Sequence, residues 1–345
     1  MSVLHSFNNN GQDGYATYAG LVFDALGNLY GTSYYGGAGR CAGGLFPGCG
    51  VVFELSPNSK GGWDYKLIHT FIAGTDGAFP AAAMIVDSQG SLYGTTSSGG
   101  TGSGCDVGGY IGCGTVFKLT PSNGGWTETV LHSFGGGTDG EHPYGGVIQD
   151  AAGNVYGTTE FGGSDSGCDN SGCGTVFELT LSGGVWTKTL LYTFSGSGDG
   201  GAPDGSLVLD GVGNLYGVTL LGGLGQGTVY ELSPSSGGWS ETVLHTFCSL
   251  GKCFDGGLPF AGMTFDHAGN LYGTAEVGGA ADAGVVFELT PSSNGGWQET
   301  VLHSFHDHPG ALPFSNLVFD AAGNLYGTTQ GDGTTTFGSV FEIIP

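Results

Sequence analysis

The sequence predicts an all-β fold, a six-bladed β-propeller of four-stranded antiparallel blades, and three observations predict it. One segment recurs from end to end, as GNLYGTS (27–33), GSLYGTT (90–96), GNVYGTT (153–159), GNLYGVT (213–219), GNLYGTA (269–275) and GNLYGTT (323–329). Each copy lies among short runs of Val, Leu, Phe, Tyr and Thr bounded by Gly, Pro, Asn and Ser, the pattern of strands joined by tight turns. No stretch sustains a helical period, and four short strands repeated at such a spacing are the signature of a propeller blade.

The elements of one repeat come in a fixed order. Strand A is a run such as LVFD (21–24) or MIVD (84–87), and strand B is the LYGTT segment. Strand C follows as VVFELSP (51–57), TVFKLTP (115–121) or TVYELSP (228–234), and a Gly-rich turn ending in Trp leads into strand D, as in TETVLHSF (127–134). The sixth repeat stops at FEIIP (341–345), after strand C, while the chain opens on MSVLHSF (1–7), the tail of a D strand. The expectation is one domain over 1–345, its last blade formed by 314–345 plus 1–7, a closure that would remove an open sheet edge.

Composition narrows the partners. Only 6 residues are basic against 30 acidic, for a net charge of −24. A surface that tracks phosphate needs clustered Lys and Arg, so nucleic acid and anionic membranes are poor partners, and no nucleic acid is expected. No apolar run approaches the length of a membrane span, no signal peptide stands in this chain, and a monomer is expected. The 8 cysteines fall into close pairs, Cys41/Cys49, Cys105/Cys113, Cys168/Cys173 and Cys248/Cys253. Zinc knuckles need tighter C-x₂₋₄-C spacing than two of these pairs offer, so four local disulfides are expected, and with them an extracellular or secreted location.

As a set, GNLYGTT, the following Gly-Gly, GTVFELTP and a DG-x-x-P segment resemble the GloVer tandem repeat of bacterial extracellular "choice-of-anchor" proteins, over essentially the whole chain. The resemblance implies secretion and association with a cell surface or matrix, and no established catalytic activity. An anchor segment is not found in this chain.

In a meander the A–B and C–D turns share one face and the B–C and D–A loops the other. The first face is uniform, with A–B turns such as DALGN and DAAGN and five repeated tryptophans (Trp63, Trp126, Trp186, Trp239, Trp297) expected to cover blade edges. On the other, the B–C loops of blades 1 to 3 (34–50, 97–114, 160–174) are longer than those of blades 4 to 6 (220–227, 276–284, 330–338), and each long loop carries a cysteine pair. The D–A loops carry DGYAT (13–17), DGAFP (76–80), DGEHP (139–143), DGGAP (199–203), DGGLP (255–259) and PGALP (309–313). Their Asp residues are expected to cap the loop and their Pro to fix the start of strand A. Calcium is the competing reading of these carboxylates, although no EF-hand-like ligand string accompanies them. No other metal and no organic cofactor is expected.

The residue after each such segment is Tyr18, Ala81, Tyr144, Asp204, Phe260 or Phe314. The aromatic ones either plug the centre of the ring as core or form a stacking floor for sugar rings, which Tyr34, Tyr35, Tyr110 and Phe161 of the long loops would extend. Histidine repeats at one D-strand position (His5, His69, His132, His245, His303, with Tyr192 in the third repeat), which points to structural hydrogen bonding. His142 breaks that pattern.

A glycosidase needs two carboxyl groups at one of two characteristic separations. Glu141 and Asp204, on adjacent D–A loops with His142 beside them, are the candidates for catalysis. A lone arginine, Arg40, excludes an arginine-triad sialidase. The favoured function is an extracellular binding propeller for a neutral polysaccharide or cell-surface glycan on the long-loop face. The alternative is a glycoside hydrolase or related polysaccharide-degrading enzyme on the same face.

Overall fold

A computed structural model describes residues 3–8, 13–38, 41, 47–105, 112–163, 168, 171–306, 310–331 and 337–344. The protein is all-β: six four-stranded antiparallel sheets form the blades of a β-propeller. Blade 1 runs A to D as Val22–Phe23, Leu29–Ser33, Val51–Pro57 and Trp63–Thr70; blade 2 as Ile85–Val86, Leu92–Thr96, Thr115–Ser122 and Gly125–Ser133. Blade 3 follows as Ile148–Gln149, Val155–Thr159, Thr175–Ser182 and Val185–Thr193, and blade 4 as Val208–Leu209, Leu215–Thr219, Thr228–Ser235 and Gly238–Thr246. Blade 5 comprises Thr264–Phe265, Leu271–Ala275, Val285–Pro291 and Trp297–Ser304. Two compact units divide the chain, Met1–Gly162 with Val176–Leu190 and Gly163–Thr175 with Leu191–Pro345.

The repeated turn between strands A and B explains the most uniform part of the sequence. Asp24 accepts the backbone N–H groups of Leu26 and Asn28 at 2.8 and 2.9 Å, the Asn28 amide at 2.8 Å and the Tyr30 hydroxyl at 3.0 Å. Asp150, Asp210, Asp266 and Asp320 repeat this set, and Gly27 takes the left-handed φ of 85° that the turn requires. The hydrogen bonds outweigh desolvation and hold each of these carboxyls below the usual range. The Tyr ring then reaches the next blade's tryptophan, edge to face, as in Tyr30–Trp126 and Tyr216–Trp297. Trp126 and Trp297 thus cover blade edges, as expected.

Within a blade, strand B presents a Gly to the ring of the strand C aromatic; a Cβ at Gly94 would stand 2.7 Å from Phe117 Cζ. Between blades, the Phe that ends strand D packs edge-on against the strand C aromatic of the next: Phe71 on Phe117, Phe134 on Phe177, Phe194 on Tyr230, Phe247 on Phe287 and Phe305 on Phe341. Phe7 meets Phe53 in the same way, at 5.0 Å. The N-terminal stub therefore stands to blade 1 as every D strand stands to the blade after it.

Blade 6 differs at its outer edge. Val318–Phe319 and Ala311–Pro313 both pair with Leu325–Gly331, which pairs in turn with Phe337–Ile343. Among the described residues, no ladder occupies the far side of Phe337–Ile343. Val340 is 78% exposed, whereas its counterparts Val52, Val116, Val176, Val229 and Val286 are at 0%.

Strand D carries a bulge that matters for the site chemistry. In blade 1 the register shifts between Val52↔His69 and Phe53↔Leu67, leaving Ile68 unopposed, and blades 2, 4 and 5 repeat the shift. An extra residue re-aims the side chains beyond it. Tyr65, before the bulge, stacks on His5 of the stub at 4.0 Å, whereas His69, after it, turns to the loop that follows. One strand thereby serves two seams.

Candidate functional site

Five of the D–A loops, those with an Asp-Gly, are built from the same parts. The Asp accepts the backbone N–H four residues upstream (Ile72→Asp76, Gly135→Asp139, Ser195→Asp199, at 2.7, 2.7 and 2.9 Å), and Asp13 and Asp255 take Asn8 and Ser249 at 3.2 and 2.8 Å. The loop is capped, as expected, but the partner precedes the Asp rather than following it. The repeated histidine joins the same carboxylate: His5–Asp13, His69–Asp76 and His132–Asp139 lie 3.1, 3.0 and 3.0 Å apart, and Tyr192 bonds Asp199 at 3.1 Å. The DG carboxylates therefore face N–H, imidazole and hydroxyl groups.

Beyond the Asp-Gly, one residue adopts a left-handed conformation: Ala16, Phe79, His142, Ala202, Leu258 and Leu312 have φ between 53° and 61°. That residue's N–H bonds the preceding blade (Phe79 to Cys49 O, His142 to Cys113 O, Ala202 to Cys173 O) at 2.7–2.9 Å. Its carbonyl accepts from its own B–C loop, as Phe79 O does from Ser97 N at 3.1 Å. Non-glycine residues there are strained, and the paired bonds over-determine the geometry. No sequence signal marks this position as left-handed.

All four cysteine pairs are disulfides: Cys41–Cys49, Cys105–Cys113, Cys168–Cys173 and Cys248–Cys253. Three pin the long B–C loops and the fourth the D–A loop before blade 5.

In the first unit the aromatic candidates assemble. Tyr34 stacks on Phe79 at 5.2 Å and meets Tyr35 edge-on at 4.9 Å, and Tyr35 stacks on Tyr15 at 5.2 Å. Tyr18 stands edge-on to Tyr34 at 5.6 Å and is 71% exposed. Sequence reasoning missed Tyr15 and Phe79, which support this group from below. Tyr144 and Phe161 flank His142 at 6.5 and 6.0 Å, both half-buried. Tyr110 lies outside the described residues.

In the second unit Phe260 and Phe314 stack at 4.6 Å, and Phe314 is 44% exposed. Asp204 occupies the matching position of the blade before, and a Cβ at Gly205 would meet the Ala261 and Gly262 backbone at 2.9 Å, so the two loops run in contact. Asp204 Oδ1 is sealed from solvent with no hydrogen-bond partner, and burial pushes its carboxyl up to about 7.

The three candidates for catalysis sit in different surroundings. His142 is buried, with Nδ1 2.7 Å from Ser97 O. The Glu141 carboxylate lies within 4.8 Å of both sulfurs of Cys105–Cys113, raised by burial against an opposing effect of His142. Asp204 alone has an unanswered polar atom.

The uniform face holds a groove of its own in the first unit, about 880 Å³, between blades 2 and 3. Tyr93, Lys118, Gln149, Asn154, Leu181 and Trp186 line it. Lys118 lies 4.8 Å over the Tyr93 ring and 3.8 Å from Asp87. Among the described residues no helix is long and apolar enough to cross a membrane.

Comparison with solved structures finds the same fold at low identity. A protein from Thermus thermophilus described as an oxidoreductase (glucose dehydrogenase) is 16% identical, with a TM-score of 0.52 over 96% of this chain and 97% of that one. A protein from Lactobacillus plantarum is 14% identical, with a TM-score of 0.57 over 95% and 81%. A luciferin-regenerating enzyme is 13% identical, with a TM-score of 0.52 over 98% and 93%. No curated protein matches the sequence. The model of one repeat family matches over residues 1–164, 48–266 and 165–345, and the chain belongs to that family, the Gloeobacter/Verrucomicrobia repeat.

Proposed function

We propose that the protein is an extracellular, monomeric binding propeller that takes a neutral polysaccharide on the face of its D–A and B–C loops. The observation that carries this is Tyr18, mostly exposed yet held by Tyr34, which is itself stacked on Phe79. An exposed ring backed by other aromatics offers an apolar face to a sugar. Phe314 on Phe260 repeats the arrangement in the second unit. Four disulfides fit an oxidising location, and a charge of −24 disfavours acidic glycans.

Glu141 and His142 favour binding over hydrolysis, because one carboxylate rests on a disulfide and the imidazole is bonded to a backbone carbonyl. Asp204 keeps the enzyme reading alive, since a buried carboxyl near 7 suits a general acid. Calorimetric titration against neutral glucans, mannans and galactans tests the proposal. Tyr18→Ala and Phe314→Ala should each weaken binding about 5–10-fold, the loss of one stacking contact, while Trp186→Ala leaves it unchanged. Binding that follows Trp186 would move the site to the blade 2–3 groove. Release of reducing sugars by the wild type, abolished in Asp204→Asn, would replace binding by hydrolysis.

A further inference from the structure

Five seams carry a three-residue cluster that the proposed binding does not use. Its members are the strand D His or Tyr of one blade, the Asp of the following DG, and the residue two positions after the next blade's Trp. That third residue is Tyr65, Glu128, Lys188, Glu241 or Glu299. Lys188 answers Asp139 directly, Nζ to Oδ1 at 2.8 Å, with His132 on the other oxygen at 3.0 Å. At the seam of blades 1 and 2 the same place holds Glu128, which faces Asp76 and His69, three groups whose ligating atoms lie within 4.8 Å. Glu241 lies in the field of Asp199, and Glu299 in that of Asp255, itself 3.4 Å from His245.

Two carboxylates cannot both stay charged at such a seam without a cation between them. In one seam Lys188 takes the place of the second carboxylate and answers Asp139 as a cation. In the three glutamate seams, Oε1 of Glu128, of Glu241 and of Glu299 is buried with no hydrogen-bond partner. We propose that these three seams are proton-operated latches: each glutamate holds a proton, shared with Asp76 in the case of Glu128, that closes its seam, and the seam loosens when the proton leaves. Burial, and Asp76 beside it, push Glu128 up, while His69 and the Ile72 N–H hold Asp76 down. Burial and the facing Asp raise Glu241 and Glu299 to about 7. A carboxyl raised on folding contributes stability below its unfolded pKa and loses it as pH rises through the folded value. Their contribution therefore begins to fall from about pH 4.5, and the latches open as pH passes through about 7, later for Glu128. The latch is independent of what the loop face binds.

The test is thermal melting from pH 5 to pH 9 in chelator, with carboxyl titration of Glu128 by NMR. Wild-type Tm should fall by several degrees across neutrality. Glu128→Gln/Glu241→Gln/Glu299→Gln should lose most of that slope, Glu128→Lys should flatten its own share, and Lys188→Glu should steepen it by adding a fourth latch. An unchanged slope in the triple variant, or a Glu128 midpoint at an ordinary carboxyl value, would overturn the proposal. So would a stoichiometric divalent metal that raises the Tm of the wild type but not of Glu128→Gln, since the shared cation would then be a metal ion.

Discussion

Lys188 donates to Asp139 Oδ1 across 2.8 Å, from a strand 49 residues away in sequence, and also reaches the Asp139 backbone carbonyl. The ammonium is nearly enclosed and the carboxyl is held well below the usual range by His132 and Lys188 against its own desolvation. Removing one member of such a pair leaves the other charge uncompensated. Lys188→Ala should cost about 2–3 kcal/mol, less than a fully buried pair because Asp139 keeps some contact with water. Urea unfolding at pH 7 measures this, and a loss below about 0.5 kcal/mol, the level of an exposed pair, would rule it out.

The A–B turn makes a prediction of opposite pH sense. Asp150 accepts from Ala152, Asn154 and Tyr156, which depresses its carboxyl. A depressed carboxyl contributes stability above its unfolded pKa of about 3.9 and loses it as pH falls through the folded value. Asp150→Ala should destabilise by about 1–3 kcal/mol at pH 7 and by progressively less below pH 4. A cost that persists undiminished at pH 2 would show that the turn, not the charge, is what matters.

These two acids show why one part of the fold is legible in the sequence and another is not. Every partner of Asp150 lies within six residues of it, so the whole turn recurs as a visible string, and even Ser91 in place of Asn leaves Asp87 its backbone bonds. Glu128 and Lys188 meet their partners across a seam, and a bulge at Leu131 or its counterparts reverses the strand's alternation between the seam residue and the histidine. The only linear trace is a position two residues after each Trp, occupied in turn by Tyr, Glu, Lys, Glu and Glu. Strand order, disulfide pairs and the histidine repeat are similarly local and legible. Tyr18 on Tyr34 is half legible: both rings were expected, and the Phe79 beneath them was hidden inside DGAFP.

Phe7 and Val340 together define a test of closure. Phe7 occupies against Phe53 the place that Phe71 takes against Phe117, and strand C of blade 6 has one neighbour among the described residues. If residues 3–7 supply its D strand, the register Phe53↔Leu67 puts Val3 opposite Phe341. Val3→Cys/Phe341→Cys should then form an intramolecular disulfide in air, seen as a gel shift reversed by reductant. Persistently free thiols, or dimers linked between chains, would reject the closure.

The disulfides should matter to loops more than to the fold. Each closes a ring of 5 or 8 residues in separation, worth about 2–2.5 kcal/mol at most. Intact mass without reductant should show four bridges and no free thiol. Reduction should lower the melting temperature modestly and make 97–114 and 160–174 sensitive to protease, while far-UV dichroism is unchanged. Wholesale unfolding on reduction would contradict this.

Asp204 tests the second unit on its own. It stands where the other repeats place Tyr18, Ala81, Tyr144, Phe260 and Phe314, and its Oδ1 is buried without a partner. Desolvation, the sole cause, lifts the carboxyl to about 7, so its contribution is present below the unfolded pKa and is lost as pH rises through 7. Asn has the same shape and no charge to desolvate. Asp204→Asn should therefore leave stability at pH 5 nearly unchanged and raise it at pH 8 by about 1–3 kcal/mol. If the group serves a sugar hydroxyl beside Phe260 and Phe314, the same variant should weaken glycan binding even where it stabilises the fold. Stability that falls at pH 8 would instead mean that the carboxylate has a cationic or donor partner in the folded protein.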